Sequence, residues 1–337
     1  MVMKMSNRKF YVKTKCKSIV RKTYPQNWQV YNLSQTKEKL MFLKILNDSV
    51  NYLNIDYKYK GDGRPHYPLE DMIKCCAIKV FNNFSSRRTI CELQLANALG
   101  YIPQIPHFNS INNYMNNQEI TPYLHKLYKM LALPLVGVEN NFAIDATGFS
   151  TFNRKKWFDV RFIKLEKRDY KKLHIVSGVK TNIITSAEVS KGTTHDNLFF
   201  EDLIRKTSID FRMREVCADS GYLSRKNCDI VEEIGATPYI MPRRNIKLRK
   251  IITSGSTAWR DMIRTWRDNE ASFREHYHKR SNIESTFSMM KRKFLPYVRS
   301  KTDLAQSNEI LCKVVCHNIA VLVNSMFELD IELSFSS

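Results

Sequence analysis

The sequence predicts an α/β protein in which a mixed sheet, flanked by helices, follows an N-terminal all-α region with a helix-turn-helix-like pair. Three patterns predict this fold. Apolar residues recur at helical spacing before residue 137, alternate at period two just after it, and then switch repeatedly between helical and strand spacing. Strands that first follow one another and then alternate with helices are typical of a mixed α/β sheet.

The length and charge of the chain indicate the number of its domains and the kind of partner it binds. Its 337 residues suffice for about two domains, each with a core of its own. With 54 Lys and Arg against 33 Asp and Glu, the formal net charge of +21 indicates a polyanionic partner. Nucleic acid is favoured over a membrane surface. No run of 18 apolar residues and no signal peptide are present, so we expect a soluble, cytoplasmic protein.

The eight cysteines form no CxxC pair and have no zinc-site spacing, so we expect buried thiols in a reducing compartment. Cys312 and Cys316, followed by His317, share a helical face. The apolar residues around them favour core packing over metal binding.

Two segments precede the sheet. Residues 1–60 form a basic N-terminal segment with an amphipathic helix in SQTKEKLMFLKILNDSVNYLN, and residues 61–136 form a helical domain. In this domain LEDMIKCCAIKVFNNF is helical, and SSRRTICELQLANAL and NSINNYMNNQEI flank a turn as in a helix-turn-helix. Such pairs also occur in proteins without nucleic acid, but the charge favours a DNA-binding domain here.

Residues 137–337 carry the sheet. Strands are predicted in NFAIDATGFS, RFIKLEK, LHIVSGVKTNIITSAEVSKG, REVCADSGY and TPYIMPR. Helices are predicted in HDNLFFEDLIRKT, LSRKNCDIVEEIGA, RSNIESTFSMMKRKFLPY and LAQSNEILCKVVCHNIAVLVNSMFEL. A basic loop and helix are expected between the fifth strand and the last two helices.

Two carboxylates stand where a solvated side chain is unusual. Asp145 lies inside an apolar strand, and Asp219 ends another strand directly before Ser220. A buried Asp is hydrogen-bonded structurally, paired with a base, or bound to a cation, and for either residue alone the structural explanation suffices. Glu284, in a helical run, is by itself an ordinary surface residue.

The three acids together indicate a metal site. Hard divalent cations prefer oxygen ligands, and two Mg²⁺ about 3.5–4 Å apart can be held by two strand carboxylates and one from a facing helix. Arg280 and Lys291 fall near the helical stripe of Glu284, where cations would contact the phosphates of a scissile strand.

With AIDATGFS, VCADSGYLS and YHKRSNIESTFSMMK, the chain resembles the DDE transposases of bacterial and archaeal insertion sequences. Tyr277, Arg280, Glu284 and Lys291 match the Tyr, Arg, Glu, Lys signature of the family four/five superfamily at every position. The resemblance implies a ribonuclease-H-like core, Mg²⁺ dependence with Mn²⁺ as a possible substitute, and DNA transposition at terminal inverted repeats. It also implies a homodimer on double-stranded DNA and a nucleoid-associated place in a prokaryotic cytoplasm.

The resemblance also implies roles for single residues. Asp145, Asp219 and Glu284 would be the catalytic metal ligands. Tyr277 and Arg280 would contact DNA near the cut end, and Lys291 would bind a backbone phosphate.

Two further groups lie outside that signature. A charge run after the fifth strand, which includes Arg243 and Arg244, favours phosphate contact over a solvated surface. In GTTHDNLFFEDLI, either His195 or Asp196 assists near the site, or Asp196 caps the following helix. Both alternatives stay open.

Two other functions remain alternatives to a transposase. One is a metal-dependent DNA endonuclease that cuts without joining. The other is a DNA-binding regulator with a catalytically inactive core, against which the three intact acids argue.

Overall fold

A mixed sheet lies at the centre of the computed structural model, which describes residues 27–56, 66–151, 170–242 and 256–333. In these residues the strands are β1 (Asn141–Thr151), β2 (Tyr170–Gly178), β3 (Ile184–Lys191), β4 (Glu215–Ala218), β5 (Thr237–Ile240) and β6 (Tyr297–Val298). Their order is β3-β2-β1-β4-β5, and β6 pairs with the end of β1. β1 runs antiparallel to β2 and parallel to β4, so the predicted mixed α/β fold is confirmed.

Three details of the sheet differ from the sequence prediction. The segment LHIVSGVKTNIITSAEVSKG, predicted as one strand, forms β2 and β3, which run antiparallel and are joined by a turn at residues 179–183. The predicted helix RSNIESTFSMMKRKFLPY ends at Phe294, because Leu295 has a φ of 68° and Pro296 follows it. The chain then forms β6, which the sequence did not predict. The predicted strand RFIKLEK lies outside the described residues.

The N-terminal helices are α1 (Trp28–Tyr52), α2 (Leu69–Phe81), α3 (Ser86–Ala98), α4 (Phe108–Met115) and α5 (Ile120–Ala132). The helices predicted in the first 100 residues are present. The segment NSINNYMNNQEI is not one helix: α4 ends at Met115, and α5, which was not predicted, begins at Ile120. Thr121 and Pro122 in its first turn are a start signal, because proline fits the first turn of a helix.

The later helices are α6 (Phe200–Ser208), α7 (Arg225–Glu233), α8 (Thr257–Asp268), α9 (Glu270–Tyr277), α10 (Ser281–Phe294) and α11 (Asp303–Glu328). Gly235, with a φ of 77°, follows α7 as predicted from the glycine stop.

Helix α11 joins the helical region to the sheet. It contacts α1, α2 and α5 and also lies against β3. Its length and composition would allow it to cross a membrane, yet most of its residues are buried here, as in a core helix. Because the N-terminal helices and the sheet share this core, α11 sets their relative position. The domain boundaries at residues 60 and 136 stay predictions.

The cysteines follow the prediction with one exception. Cys312 and Cys316 are buried in α11, and His317 Nε2 lies 2.8 Å from the backbone oxygen of Asn182, so this face packs in the core. Cys91, however, is exposed on α3, and the expectation of a buried thiol was wrong there. Cys16 lies outside the described residues.

Candidate active site

The register of β1 and β4 places two acids side by side. Ile144 pairs with Ala218 in this parallel ladder, so the next residues, Asp145 inside β1 and Asp219 just after β4, lie at the same level of the sheet. Neighbouring strands lie about 5 Å apart. Each acid uses one oxygen locally: Asp145 Oδ1 accepts from the Ala146 amide at 2.8 Å, and Asp219 Oδ1 accepts from the Gly221 amide at 2.8 Å. The backbone therefore orients both carboxylates at this level of the sheet.

The charges around Asp145 favour a cation. The pKa of Asp145 is raised to about 6, chiefly by burial and to a smaller extent by the carboxylates of Asp219 and Asp196, against the lowering effects of the Ala146 amide and Arg280. Carboxylates that repel one another across a half-buried site are stabilised by a bound cation. Hard carboxylate oxygens in this environment fit a divalent metal such as Mg²⁺.

Arg280 lies between Glu284 and Asp145. Its Nη1 donates to Glu284 Oε1 at 2.8 Å, and its Nη2 lies 3.8 Å from Asp145 Oδ2. The residue ends a short 3₁₀ turn, His278–Arg280, that connects α9 to α10. The guanidinium therefore occupies a position between carboxylates of the predicted triad.

The predicted metal ligands are thus only partly assembled. In the described ranges, no group of three or more His, Cys, Asp or Glu side chains is arranged to hold a metal ion. Asp145 and Asp219 are neighbours, while Glu284 is bound to Arg280, with its side chain 66% exposed. This exposure leaves the Glu284 side chain free to turn once the salt bridge opens.

The other two signature residues lie at the same site. Tyr277 ends α9 with its ring stacked on Phe273, and burial raises its pKa while Arg280 lowers it. Lys291 Nζ donates to Thr147 Oγ1 at 2.6 Å, two residues beyond Asp145 on β1, and burial lowers its pKa. Both residues are therefore near the acids. Arg243 and Arg244 lie outside the described residues.

Asp196 makes an ion pair. Its Oδ1 accepts from Lys172 Nζ at 2.9 Å and lies 3.6 Å from His174 Nδ1. Asp196 begins a short 3₁₀ turn, Asp196–Phe199, that leads into α6, and the exposed His195 precedes it. Neither this turn nor α6 is capped by a side-chain hydrogen bond. The structure therefore favours a charge role for Asp196 over helix capping.

Sequence reasoning missed His174 and Lys172. His174 is buried, stacks on Phe199 at 4.1 Å, and has its pKa lowered to about 4 by burial. In the β1–β2 register His174 lies opposite Ala146, and Lys172 lies opposite Gly148. Their period-two spacing on a strand next to the one with Asp145 was the available signal.

An antiparallel group of strands, followed by parallel strands with acids on β1 and at the end of β4, defines the ribonuclease-H-like class of enzymes that act on nucleic-acid phosphates. Comparison with protein families agrees with this class. A transposase DDE domain matches residues 137–319, and a transposase domain (DUF772) matches residues 31–117. The chain belongs to the DDE transposases of insertion sequences. No match was found among curated proteins.

This membership has direct consequences. The protein is a DNA transposase, which binds DNA and takes part in DNA recombination, and its family uses divalent metal ions. The role of each site residue, including the Tyr, Arg, Glu, Lys signature, stays a prediction.

Proposed function

We propose that this transposase binds the terminal inverted repeats of its element and cleaves and joins DNA strands with two Mg²⁺. Asp145, Asp219 and Glu284 would hold the ions, and Mn²⁺ would substitute. The observation that carries the proposal is the side-by-side position of Asp145 and Asp219 on parallel strands, with Glu284 tied to the same site through Arg280.

Two metal ions bound there would activate water or a 3′-hydroxyl as nucleophile and stabilise the leaving oxygen of the phosphodiester. The carboxylate charges at the site favour metal binding. Asp145 and Asp219 repel each other across a half-buried surface, so a cation is favoured between them. Their local hydrogen bonds to the amides of Ala146 and Gly221 fix the direction of both carboxylates.

Arg280 would exchange partners when DNA binds. Its guanidinium now bonds to Glu284, and a phosphate is a strong alternative partner because it accepts two parallel hydrogen bonds from arginine. Transfer of Arg280 to a DNA phosphate would release Glu284 toward the two aspartates. DNA binding and completion of the metal site would then favour each other.

Lys291 and Tyr277 would orient the DNA. The bond from Lys291 Nζ to Thr147 Oγ1 holds an ammonium group on the strand that carries Asp145. There it would bind a phosphate next to the cut bond, and Tyr277, beside Arg280, would contact the cut end. Action as a homodimer on double-stranded DNA in a prokaryotic cytoplasm belongs to the same proposal and is supported by the family.

The test compares Asp145→Asn with wild type on labelled DNA that carries the repeats flanking the gene, with and without Mg²⁺. We expect Mg²⁺-dependent cuts at the repeat ends and joined products from wild type. The variant should bind the same DNA without cutting it. Asp210→Asn is the matched control, since Asp210 is an exposed acid in the loop before β4, at the opposite edge of the sheet.

Other outcomes identify the alternatives. Cuts without joined products would indicate an endonuclease. Binding by wild type without cuts on any DNA, and a footprint that does not change with Mg²⁺, would indicate a regulator with an inactive core.

A further inference from the structure

A broad groove runs between the helical region and the far end of the sheet. Its volume of about 1470 Å³ exceeds the roughly 300–1,000 Å³ that is usual for small-molecule pockets. One wall consists of α4 and the start of α3. The other consists of the end of β1, the start of β2, the turn after β3 and the segment 297–303 that leads into α11.

Cationic side chains line this groove. They are Lys79, Arg87, Lys171, Lys191, Arg299 and Lys301. Asp303 is the one acid in its described lining, and it is paired with Lys171 at 2.5 Å. Lys171 is buried, whereas the exposed cations of the sheet side, Lys191, Arg299 and Lys301, have no carboxylate partner within the described part of the chain. Unpaired cations along one groove indicate a polyanionic ligand.

The floor of the groove contains a buried ammonium group. Lys79 is 7% exposed, and its Nζ donates to Asn112 Oδ1 at 3.2 Å. None of the described acids forms an ion pair with it. A buried cation that is bonded to a neutral amide gains considerably from an anion within reach.

The backbone that carries the cations on the sheet side is held in place at two points. The buried carboxylate of Glu309 accepts from the backbone amides of Arg299, at 3.0 and 3.1 Å, and of Ser300, at 2.8 Å. Gly192 follows Lys191, and a Cβ there would lie 2.6 Å from the backbone oxygen of Tyr170. The close approach of these two chain segments fixes the turn that carries Lys191.

Helix α4 presents side chains that can read bases. Asn109 and Asn113 are exposed, lie one helical turn apart and line the groove. An asparagine amide can pair with the N6 and N7 atoms of adenine in the major groove, which is wide enough for a helix. At the start of α4 the Arg87 guanidinium lies 4.6 Å from the centre of the Phe108 ring, which holds a cation beside the helix.

We propose that this groove holds the DNA duplex at the element's own end, with α4 in the major groove and the surrounding cations on the phosphates. The inference rests on the proposed function. Thr151, in the groove, follows Asp145 by six residues on β1, which is about 20 Å or roughly six base pairs of duplex. Cleavage at the element's end always occurs at the same sequence. A helix that reads bases at a fixed distance from the cut can therefore recognise the element's end.

The first test measures the salt dependence of binding to a fluorescein-labelled duplex from the DNA that flanks the gene. In the double variant Lys191→Ala/Lys301→Ala, two phosphate contacts are lost, and each contributes about 0.9 to the slope of the logarithm of the binding constant against the logarithm of salt concentration. The slope should therefore be smaller in magnitude by about 1.8 than that of wild type. Lys126→Ala/Arg212→Ala is the control. It removes two exposed cations from α5 and from the loop before β4, outside the groove, and should keep the wild-type slope.

The second test measures base reading by α4. Asn113→Ala should lower the affinity ratio between the flanking duplex and a shuffled duplex roughly 5-fold to 150-fold, with no change in the salt slope. Gln118→Ala, an exposed amide just after α4 and outside the groove, should leave the ratio unchanged.

Three results would overturn the inference. Wild-type slope and wild-type base preference in the groove variants would refute it, while loss of cutting in Asp145→Asn would still support the proposed function. Unchanged binding of the flanking duplex together with lost joining to a second duplex would assign the groove to target DNA. Failure of wild type to bind or cut any DNA would refute both the groove and the proposed function.

Discussion

Asn318 should be among the residues on which the fold depends most. Its side chain is fully buried in α11, where Nδ2 donates to the backbone oxygens of Tyr128 at 2.9 Å and Ile184 at 2.8 Å. Its Oδ1 accepts from the Ile184 amide at 3.0 Å. Asn318→Ala leaves three buried backbone groups without this partner, at about 1–3 kcal/mol each. After partial relaxation we expect a loss of about 3–5 kcal/mol in the free energy of unfolding.

Urea unfolding, followed by circular dichroism, measures this loss. Asn324→Ala is the control on the same helix, because Asn324 accepts one hydrogen bond, from Ser34 Oγ at 3.2 Å, and lies nearer the surface. It should lose about 1 kcal/mol. If Asn318→Ala also lost 1 kcal/mol or less, the view that Asn318 connects α5, α11 and β3 would be wrong.

Three further predictions concern acid stability, a close contact and the active site. Burial lowers the pKa of His317 to about 4, so the unfolded chain takes up a proton first as pH falls below about 6.5. Wild type should therefore lose about 3 kcal/mol of unfolding free energy between pH 6.5 and 4, whereas His317→Gln should not show this loss. Curves of urea midpoint against pH that run parallel for the two proteins would contradict this. Gly178→Ala should lower the free energy of unfolding, measured with urea, by about 1–3 kcal/mol, because the added Cβ would lie 2.3 Å from Cδ of the buried Glu139. A urea midpoint equal to that of wild type would show that Gly178 and Glu139 are not packed this closely. Lys291→Met should slow DNA cleavage on the order of tenfold to a hundredfold in a single-turnover assay. Thr147→Ala, which removes only the hydrogen-bond partner of Lys291, should have a smaller effect. Equal rates for Lys291→Met and wild type would exclude a role for the ammonium group.

The sheet could be predicted because its signals are local. In β1 an apolar alternation surrounds Asp145, and in β4 a short apolar run ends at Asp219, so both strands are visible in the sequence. The end of α10 at Phe294 was missed although Pro296 is a local stop signal for a helix. The positive φ of Leu295, which completes that end, is a conformation that leucine rarely adopts and that the sequence does not announce. Helix α5 was missed because the polar stretch before Ile120 resembled a continuation of α4.

The contacts within the site depend on pairings that sequence spacing cannot give. Lys172 meets Asp196 because the β2–β3 hairpin brings the two segments together, with an irregularity between Val176 and Ser177. The position of Arg280 near Asp145 depends on how α10 packs against β1. Motif spacing therefore identified candidate residues, while tertiary structure was needed to show which of them are in contact.

The most direct test of the central claim uses Glu284→Gln, which keeps the size of the side chain and removes its charge. Purified wild type and variant are incubated with labelled DNA carrying the flanking repeats, with Mg²⁺ and then with Mn²⁺. We expect wild type to cut at the repeat ends and to join the freed strands to target DNA, and the variant to bind but do neither. Cutting and joining by Glu284→Gln at the wild-type rate would show that Glu284 is not a metal ligand and would contradict the proposed triad.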